Sequence, residues 1–466
     1  MPKKNSRTEV SLAINRRRFI YYSSIAAAAA TISGCATHTT RRHFGANDKL
    51  NIASIGVGGK GASDLEGAAD GNNVVALCDA DENTLKGAAK KFPNAKLYRD
   101  YRKMFDEQKD IDAVTVSTPD HNHFHASMMA IQRGKHVYCQ KPLTHSIWEA
   151  RQLTEAARKH KVATQMGNQG HSHEGNRQLC EMIWSGVIGD ITEVHSWTNR
   201  PIWPQGMDRP AGEDAMPANL DWDLWIGPAA MRPFKGSWPE SDRPEFKRNG
   251  KPVYHPFSWR GWWDFGCGAL GDMGCHVLDG PNWALKLNNP TSVEIVESSQ
   301  LFKESAPAWA ILRYQFPARG TMPPVKLTWY DGGKLPEKPS EMEAKSLPES
   351  GSIFIGTKGK ILSDTYGMHL TLLPEAKMKD YTKPPQTIPR IPDNNPYFDW
   401  IRAIKGGPQA SSRFEVSGPF TEMVLLGNLT LRAGKKIDWD ARNMQAKGAP
   451  ETQEFIRPNY RKGWEV

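Results

Sequence analysis

Cysteine is scarce in this sequence, and long apolar runs are absent beyond its first 35 residues. Only six of the 466 residues are cysteine, which excludes a disulfide-dense scaffold. No later stretch is long and apolar enough to cross a membrane, and no internal repeat indicates a solenoid. Hydrophobic residues make up 39% and charged residues 24%, a globular composition, and the length predicts two domains preceded by a leader.

The sequence also lacks a basic stripe, although its net charge is +9. The first 35 residues hold six basic residues and one acidic residue, so they carry +5 of that charge. The other +4 is spread along the rest of the chain. This distribution makes nucleic acid a poor partner.

The amino terminus has the pattern of an export signal. Residues 15–20 (NRRRFI) supply paired arginines and two apolar residues, and an Ala-rich apolar run continues to Cys35. This pattern resembles a twin-arginine signal that ends in a lipobox. We therefore predict a signal over residues 1–35, a lipid on Cys35, a polar tether over residues 36–48, and a periplasmic or cell-envelope lipoprotein that meets the membrane only through its lipid. A transmembrane helix is the alternative, but about 15 mildly apolar residues are too few to span a bilayer.

The remaining cysteines are predicted to be free and buried. A protein exported by the twin-arginine route folds first in the reducing cytoplasm, where disulfides are rare. A disulfide between Cys267 and Cys275 is the alternative for one pair. The cysteines concerned are Cys78, Cys139, Cys180, Cys267 and Cys275.

From Leu50 to about Gly167, short apolar strands alternate with amphipathic stretches. The predicted helices include Asp81–Lys91 and His123–Arg133. This alternation predicts an α/β Rossmann domain, a doubly wound parallel sheet with helices on both faces, over residues 49–168. The predicted strands are Asn51–Ile55, Asn73–Leu77, Ala113–Val116, His136–Tyr138 and Ala163–Met166.

Beyond Gly167, the predicted strands are longer and more β-branched, and they follow one another without intervening helices. This pattern predicts an α+β domain with a largely antiparallel open sheet over residues 169–466. Residues 335–350, rich in Pro, Glu and Lys, are predicted to form a surface loop. The predicted strands are Ile191–Trp197, Ala310–Phe316, Val325–Tyr330 and Ser352–Ile355.

A glycine-rich turn follows the first predicted strand. Gly56, Gly58 and Gly61 have G-x-G-x-x-G spacing, and Asp79 stands 18 residues after Gly61. Such glycines allow a tight bend, a close approach to pyrophosphate and close helix–strand packing. Asp79 can accept a hydrogen bond from a ribose 2′-hydroxyl, and no arginine follows it to bind a 2′-phosphate. The pattern predicts NAD rather than NADP; a plain glycine turn with a surface aspartate is the alternative.

Two more polar segments follow the third and fourth predicted strands. They are residues 117–123 (STPDHNH) and residues 134–142 (GKHVYCQKP), which contain Lys141. Both stand where parallel strands end, and an open α/β sheet binds ligands there.

Three histidines near Pro119 raise the question of a metal site. Their alternate spacing suits ligands on a strand, but Pro119 predicts a turn that enters a helix. No carboxylate or cysteine has the spacing of a further ligand, so we predict no metal. The histidines are His121, His123 and His125.

Residues 266–278 (GCGALGDMGCHVL) predict a glycine-rich turn leading into a helix. Asp272 and His276 are four residues apart and share one face of that helix. A carboxylate there can hold an imidazole in position, and imidazole suits the removal of a hydroxyl proton near neutral pH. The alternative is a pair that serves only the fold.

Aromatic, basic and amide side chains flank these motifs. Trp259, Arg260 and Trp263 precede the predicted helix. Sugar rings present C–H faces to aromatic rings and hydroxyls to charged groups, so a carbohydrate substrate is predicted; packing or a subunit interface is the alternative for each tryptophan. Asn168 and Gln169 follow the last predicted strand of the first domain. We expect them to contact substrate, with a loop hydrogen-bonding role as the alternative.

Taken in order, these motifs resemble the Gfo/Idh/MocA oxidoreductase family (glucose-fructose oxidoreductase, inositol dehydrogenase and rhizopine catabolism). The resemblance covers roughly residues 50–440. It implies that Lys141 lies beside the nicotinamide and substrate, that Asp272 and His276 face it across a cleft, and that the chain forms a homo-oligomer. Gln140 departs from the family, which has Glu before this lysine, and leaves the tuning of Lys141 open. The cofactor contacts implied by the motifs are Gly56, Gly58, Gly61, Asp79, Ser117, Thr118, Pro119, His123 and Lys141.

The sequence thus predicts an NAD(H)-dependent oxidoreductase that acts on a hydroxyl of a sugar or glycoside, with C3 as one candidate carbon. His276 would take the proton while Lys141 stabilises the developing alkoxide. An exported enzyme has no pool that reoxidises free NADH, so we expect NAD to stay tightly bound. A ping-pong oxidoreductase or a redox-neutral glycosidase or lyase would regenerate it in place. A non-catalytic sugar-binding lipoprotein is the remaining alternative.

Overall fold

The computed structural model of the chain describes residues 44–239 and 251–465. The predicted signal over residues 1–35, its lipidation site Cys35 and tether residues 36–43 lie outside the described residues. No helix in the described ranges combines the length and apolarity needed to cross a membrane. The five cysteines after Cys35 are free and buried, as predicted, so Cys267 and Cys275 form no disulfide.

Within the described ranges, the first sheet has six strands with helices between them. Its strands are β1 (Asn51–Ile55), β2 (Asn73–Cys78), β3 (Lys96–Tyr98), β4 (Ala113–Val116), β5 (His136–Cys139) and β6 (Thr164–Met166). The helices are α1 (Lys60–Ala69), α2 (Glu82–Ala89), α3 (Tyr101–Glu107), α4 (His123–Gln132) and α5 (Ile147–His160). The strands lie in the order β3-β2-β1-β4-β5-β6, and every pairing is parallel.

Local sequence explains this arrangement. The central strands β1 and β4 are short, apolar and almost fully buried, as strands covered on both faces must be. Ser146 and Glu149 form a capping box at the start of α5, and Asp81 caps α2. The strand order reverses between β1 and β4, so the loops after these strands border a crevice. The predicted doubly wound Rossmann sheet is confirmed.

In the part of the chain that the structure describes, the second sheet has nine strands, and one of its faces packs on the core. Among the described residues, only β7 and β10 of this sheet pair in parallel; the other pairings are antiparallel, so the predicted largely antiparallel sheet is confirmed. Alternate residues of β9 are buried, which is typical of a sheet with one covered face. The order is β13-β12-β11-β7-β10-β9-β8-β14-β15, with β7 Ile191–Trp197, β8 Ser292–Ser298, β9 Ala310–Phe316, β10 Val325–Tyr330, β11 Gly351–Gly356, β12 Gly359–Asp364, β13 Leu370–Leu373, β14 Ile437–Asp440 and β15 Gln445–Lys447. The helices are α6 (Glu174–Trp184), α7 (Trp222–Ile226), α8 (Gly268–Val277), α9 (Asp279–Leu285), α10 (Pro396–Ile404), α11 (Phe414–Ala433) and α12 (Gln453–Ile456).

The chain after β13 returns to the first sheet. α10 packs against α1, and the indole N–H of Trp400 donates to the carbonyl of Ala163 beside β6 (3.3 Å). α11 packs along α5, where Gly418 allows a close approach because a Cβ there would collide with the Thr154 hydroxyl. The first layer is therefore completed by residues far along the chain.

An aromatic insertion, residues 198–267, separates β7 from α8. Trp222 and Trp225 stack with their ring centroids 4.8 Å apart, and Tyr254 and Phe265 pack around them. Ala80, just after β2, packs against this cluster. The insertion therefore reaches the edge of the first sheet where the parallel strands end.

Candidate active site

A cavity of about 900 Å³ lies along the carboxyl ends of the first sheet. The loops after β1, β2, β4 and β5 form one wall, and the insertion with α8 forms the facing wall. Its volume is near the upper end for small-molecule sites. We call the side lined by Asp79 the β2 end and the side lined by Lys141 the β5 end. Three strand spacings separate them, roughly 14 Å.

The glycine turn has the conformation that its predicted role needs. Gly56 has φ +77°, and a Cβ there would lie 2.7 Å from backbone atoms of Ser117. Gly56 and Gly58 line the cavity. Gly61 contributes differently: a Cβ there would collide with the carbonyl of Gly56, so this glycine lets α1 pack closely behind the turn.

Asp79 lies directly after β2 and lines the cavity. Its carboxylate accepts the backbone N–H of Val57 (2.9 Å) and of Asp81 (2.9 Å), which ties β2 to the glycine turn. Burial raises the pKa of Asp79, while these two N–H groups oppose the shift. Each carboxylate oxygen retains a lone pair that can accept a ribose hydroxyl.

The insertion closes over the β2 end. The carbonyl of Asn219 accepts the N–H of Glu82 (2.8 Å) and an Arg99 guanidinium N–H (3.1 Å). The Asn219 amide donates to Asp81 Oδ1 (2.7 Å), and His255 Nε2 lies 2.9 Å from Asp81 Oδ2. We call Asn219 and His255 the clasp, because they hold the insertion to the loop after β2.

At the β5 end, Lys141 reaches across the cavity to α8. Its Nζ donates to the carbonyl oxygen of Asp272 (2.7 Å) and to Asp272 Oδ1 (2.8 Å). Arg260 Nε donates to the same Oδ1 (3.2 Å). Burial alone would raise the pKa of Asp272, but the charges of Lys141 and Arg260 outweigh it and lower the value to about 2. Asp272 is therefore an anion held between two cations.

His276 is buried one turn after Asp272 and lines the cavity. Burial, reinforced by the charge of Lys141, lowers the pKa of His276 to about 3, so its imidazole is neutral at pH 7. Its Nδ1 has no hydrogen-bond partner among the described residues, and the Tyr366 ring lies edge-on at 5.2 Å. The imidazole is therefore in the unprotonated state that a proton acceptor at this wall needs.

The structure corrects the predicted contact between Asp272 and His276. Both line the cavity, but in the described structure no hydrogen bond joins them, and the carboxylate binds Lys141 and Arg260 instead. Charge-assisted bonds to two cations stabilise a carboxylate more than a neutral imidazole does. Asp272 therefore orients the lysine rather than the histidine.

Trp259 and Arg260 lie in the cavity wall, whereas Trp263 does not. The Arg260 guanidinium lies between the rings of Phe257 (4.4 Å) and Trp259 (4.3 Å). The backbone N–H of Trp263 donates to the carbonyl of Glu304 (2.9 Å), and its ring lies in the main core. Trp263 was predicted to contact substrate, but it packs in the core, which is the alternative given for each tryptophan.

Of the two predicted amides, Gln169 lines the cavity and Asn168 does not. Asn168 is buried, and its Oδ1 accepts the Ser412 hydroxyl (2.6 Å). Ser412 belongs to the chain that returns from the second sheet. Asn168 therefore holds that segment in place, which is the loop hydrogen-bonding alternative.

Ser117, Thr118 and Pro119 line the cavity beside the glycine turn. His123 is buried at the same wall, with Nδ1 2.8 Å from the carbonyl oxygen of Pro142 and Nε2 2.9 Å from that of Thr118. Burial lowers the pKa of His123 to about 4. His123 therefore braces the loops after β4 and β5, in addition to its predicted place beside the cofactor.

The neighbouring His121 is also occupied by backbone carbonyls. Its Nδ1 lies 3.3 Å from the oxygen of Phe265, and its Nε2 lies 3.1 Å from that of Trp225. Within residues 44–239 and 251–465, no group of three or more His, Cys, Asp or Glu side chains could hold a metal ion.

Asp120 and Tyr366 are among the cavity residues that the sequence interpretation did not single out. Asp120 Oδ2 accepts the N–H of Cys267 at the start of α8 (3.0 Å). Burial raises the pKa of Asp120 to about 7, although the positive charge of Lys141 opposes the shift. Asp120 stands inside the STPDHNH segment, so its residue type and position could have indicated it. Tyr366, from the loop between β12 and β13, had no local signal.

The described residues fit a bound dinucleotide. The glycine turn presents backbone without side chains, and Asp79 offers a carboxylate at the β2 end. At the β5 end, His276 has a buried ring nitrogen without a partner in the described structure. A parallel sheet, glycine turn and acidic residue in this arrangement define a dinucleotide-binding protein of the Rossmann class.

Sequence comparison identifies the family within that class. Residues 50–168 match the profile described as "Oxidoreductase family, NAD-binding Rossmann fold". Residues 189–322 match that described as "Oxidoreductase family, C-terminal alpha/beta domain". The chain belongs to the Gfo/Idh/MocA family of NAD-binding oxidoreductases, as its motifs predicted.

Curated relatives match part of the chain. Inositol 2-dehydrogenase of Salmonella paratyphi B is 30% identical over 151 residues, which cover 31% of this chain and 45% of the relative. D-glucoside 3-dehydrogenase of Escherichia coli is 30% identical over 118 residues, 25% of this chain and 33% of the relative. The chain thus matches less than half the length of either relative.

Among solved structures, the chain is similar to the WlbA dehydrogenase of Bordetella pertussis in complex with NADH and UDP-GlcNAcA. The TM-score is 0.58 at 15% identity, and the match covers 84% of this chain and 99% of that one. At this identity the likeness supports the fold alone.

Proposed function

We propose that this protein is an NAD(H)-dependent oxidoreductase that acts on a hydroxyl of a sugar or glycoside. The observation that carries the proposal is a single cavity that joins the glycine turn and Asp79 to Lys141 and His276. Hydride removal from an alcohol needs a dinucleotide site and a proton acceptor in one enclosed space. Two relatives are named as dehydrogenases of inositol and of a D-glucoside. Trp259 lies in the cavity wall under the Arg260 guanidinium, whose N–H groups can donate to sugar hydroxyls.

The side chains of the β5 end divide the work between them. NAD, when bound, supplies the hydride acceptor. His276 is neutral and takes the proton of the substrate hydroxyl. Lys141 donates a hydrogen bond to the same oxygen as negative charge develops on it. Asp272, which Arg260 holds by a hydrogen bond, keeps the lysine ammonium in place. C3 is the carbon we propose first, because one relative is a glucoside 3-dehydrogenase.

We also propose that NAD stays bound during turnover and that the protein is exported as a lipoprotein through its twin-arginine motif and Cys35. The clasp supports retention, since the insertion must leave Asp81 and Glu82 before the β2 end can open. Outside the cytoplasm a released reduced cofactor would be lost, and a retained one also stabilises the folded protein.

Asp120 favours a second candidate, a redox-neutral glycosidase or lyase. Elimination of a glycosidic bond next to a newly formed ketone needs a group that accepts a C–H proton. Hydride transfer alone needs no such group. Asp120 lies in the cavity wall, and burial raises its pKa to about 7, so it can take up and release a proton near neutral pH.

The experiment is an incubation of the purified full-length protein with a panel of sugars and glycosides, analysed by mass spectrometry. A keto-sugar is expected; released aglycone without net oxidation would favour the second candidate, and no product would favour a binding protein. Lys141→Met and His276→Ala should lower turnover by roughly 10²- to 10⁴-fold. Lys86→Met and His160→Ala, outside the cavity, are matched controls. Full turnover in Lys141→Met would remove the assignment.

Cofactor retention and export have separate readouts. Protein purified from the cytoplasm should keep nicotinamide absorbance after gel filtration. Wild-type protein should need detergent for release from the cell envelope, whereas Cys35→Ala should be released without it. Wild-type protein that is soluble without detergent would contradict the anchor.

A further inference from the structure

A buried carboxylate, Asp64, joins four parts of the structure behind the cavity. Asp64 lies on α1, and its exposed fraction is 0%. The carboxylate accepts hydrogen bonds from the Ser117 hydroxyl (2.7 Å), the Tyr397 hydroxyl (2.8 Å), the Gln140 amide (2.9 and 3.1 Å) and the Lys60 ammonium. These donors come from the loops after β4 and β5, from α10 and from α1 itself.

Gln140 carries this network to the next residue, Lys141. Its Nε2 donates to both oxygens of Asp64, and its Oε1 faces the backbone N–H of Lys141 (3.3 Å). Gly167 packs against the amide, because a Cβ at this position would collide with Nε2. The amide is thus held in one orientation directly before the lysine that reaches Asp272.

The contact between Asp64 and Gln140 contains one negative charge. Asp64 is the carboxylate and Gln140 the neutral partner. Two carboxylates in contact at a buried site would repel each other, and one would take up a proton. This chain therefore has its negative charge on α1 and not on the loop of the lysine.

We propose that Asp64 is a positioning residue that acts through the Gln140 amide to place Lys141 against the bound cofactor. Ser117 and Lys60 line the cavity, so the same carboxylate also fixes the wall beside the glycine turn. Asp64 itself is not part of the lining and is not a catalytic residue. The inference uses the NAD binding of the family and rests on the proposed function only for the role of Lys141 in turnover.

A charge exchange tests the contact. Gln140→Glu should weaken NAD binding at least about tenfold, and Asp64→Asn about threefold to tenfold, measured by titration calorimetry on the full-length protein after its retained NAD has been removed. The double variant Asp64→Asn/Gln140→Glu restores one carboxylate and one amide, so it should recover to within about threefold of wild type. Coupling between contacting residues spans roughly 2- to 150-fold. If the loss of NAD affinity in the double variant is as large as the two single losses multiplied together, the proposal is overturned.

The pH dependence separates charge repulsion from a damaged fold. In Gln140→Glu the two carboxylates share a proton as the pH falls, so NAD affinity relative to wild type at the same pH should improve from pH 8 to pH 6, and the double variant should not show this gain. Asp120, whose pKa burial raises to about 7, titrates in all of these proteins and cancels in the comparison. Burial raises the pKa of Tyr138 and Tyr397 and raises that of Cys139 to about 12, so these groups do not titrate in this range. The ionisable groups that face Asp64 are Lys60, Tyr397, Tyr138 and Cys139.

A neutral variant covers the case in which Gln140→Glu does not fold. Gly167→Ala displaces the amide without adding charge, so it should weaken NAD binding equally at pH 8 and pH 6. It should also change the rate at which Lys141 is acetylated, read by peptide mass spectrometry. Unchanged binding and acetylation in Gly167→Ala would contradict the proposal.

The control is Glu66→Gln, which removes a carboxylate from an exposed position on the same helix. Its NAD affinity should stay within about twofold of wild type, as expected for a surface ion pair. If the charge exchange behaves as stated but no sugar is oxidised, the Asp64 assignment stands and the proposed function fails.

Discussion

The two ends of the cavity are built on different principles. At the β2 end, the glycine turn and Asp79 are close in sequence, and backbone N–H groups make most of the contacts. At the β5 end, Lys141 and Asp272 are 131 residues apart, and three charged side chains meet. The first arrangement follows from local chain geometry, and the second from how two sheets are brought together.

This contrast assigns different roles to the two ends. Backbone and clasp contacts at the β2 end act on the cofactor whether or not substrate is present, so changes there should alter affinity. The charged side chains at the β5 end act on an oxygen that gains charge only during reaction, so changes to Lys141, Asp272 or His276 should alter turnover. The Asp64 network behind them holds the backbone of the wall, so changes there should alter NAD affinity.

The largest effect is expected for Asp272→Asn at the β5 end. Loss of this anion leaves the Lys141 and Arg260 cations facing each other without compensation, and breaking a buried ion pair costs about 3–5 kcal/mol. Turnover should fall at least about 100-fold while NAD affinity stays within about threefold. Steady-state kinetics and calorimetry measure the two quantities. Asp106→Asn, in an exposed pair with Arg133, is the control. An equal loss of NAD affinity would break the division.

His276 should make the protein less stable in acid. Its folded pKa of about 3 lies below the ordinary value of about 6.5, so the unfolded chain binds a proton first. The resulting loss of stability begins as the pH falls below about 6.5 and reaches about 2 kcal/mol at pH 5. His276→Asn has no imidazole at this position and does not undergo this loss of stability. The free energy of unfolding of the variant minus that of wild type should therefore be about 2 kcal/mol more favourable to the variant at pH 5 than at pH 7.5.

Urea unfolding at the two pH values measures this difference. The other buried histidines titrate in both proteins and cancel in the comparison. His369→Asn, at an exposed position, should show the same difference from wild type at both pH values. If His276→Asn also shows no pH-dependent gain, the imidazole is not buried in neutral form as described.

Much of the fold could be predicted because its strands carry local signals. β1, β4, β7, β9 and β10 have the bounds that their apolar, β-branched runs predict. α11 was missed because it is buried on nearly all sides and contains Pro419, so it shows no amphipathic period. β3 has three residues, two of them exposed, which is too short for a pattern. Tertiary packing, not local preference, determines such elements.

The site divides in the same way. The glycine turn could be predicted down to the separate role of Gly61, because each glycine answers a local steric need. Spacing placed Asp272 and His276 on one helix but could not show that the carboxylate binds Lys141 instead. Trp263 and Asn168 were grouped with the substrate residues because they are near them in sequence. In the structure, the Trp263 ring packs in the core and Asn168 binds the Ser412 hydroxyl. Partners from distant segments decided these outcomes.

The smallest effect is expected at the clasp. Asn219→Ala/His255→Ala removes two side-chain contacts to Asp81, each worth about 0.5–1.5 kcal/mol, so NAD should dissociate about tenfold faster. Turnover at saturating NAD should change less than about twofold, because the charged cluster at the β5 end is intact. Stopped-flow displacement measures the dissociation rate, and Glu213→Ala, exposed in the same insertion, is the control. An unchanged dissociation rate would show that the insertion does not retain the cofactor, and a large loss of turnover would show that the two ends are coupled.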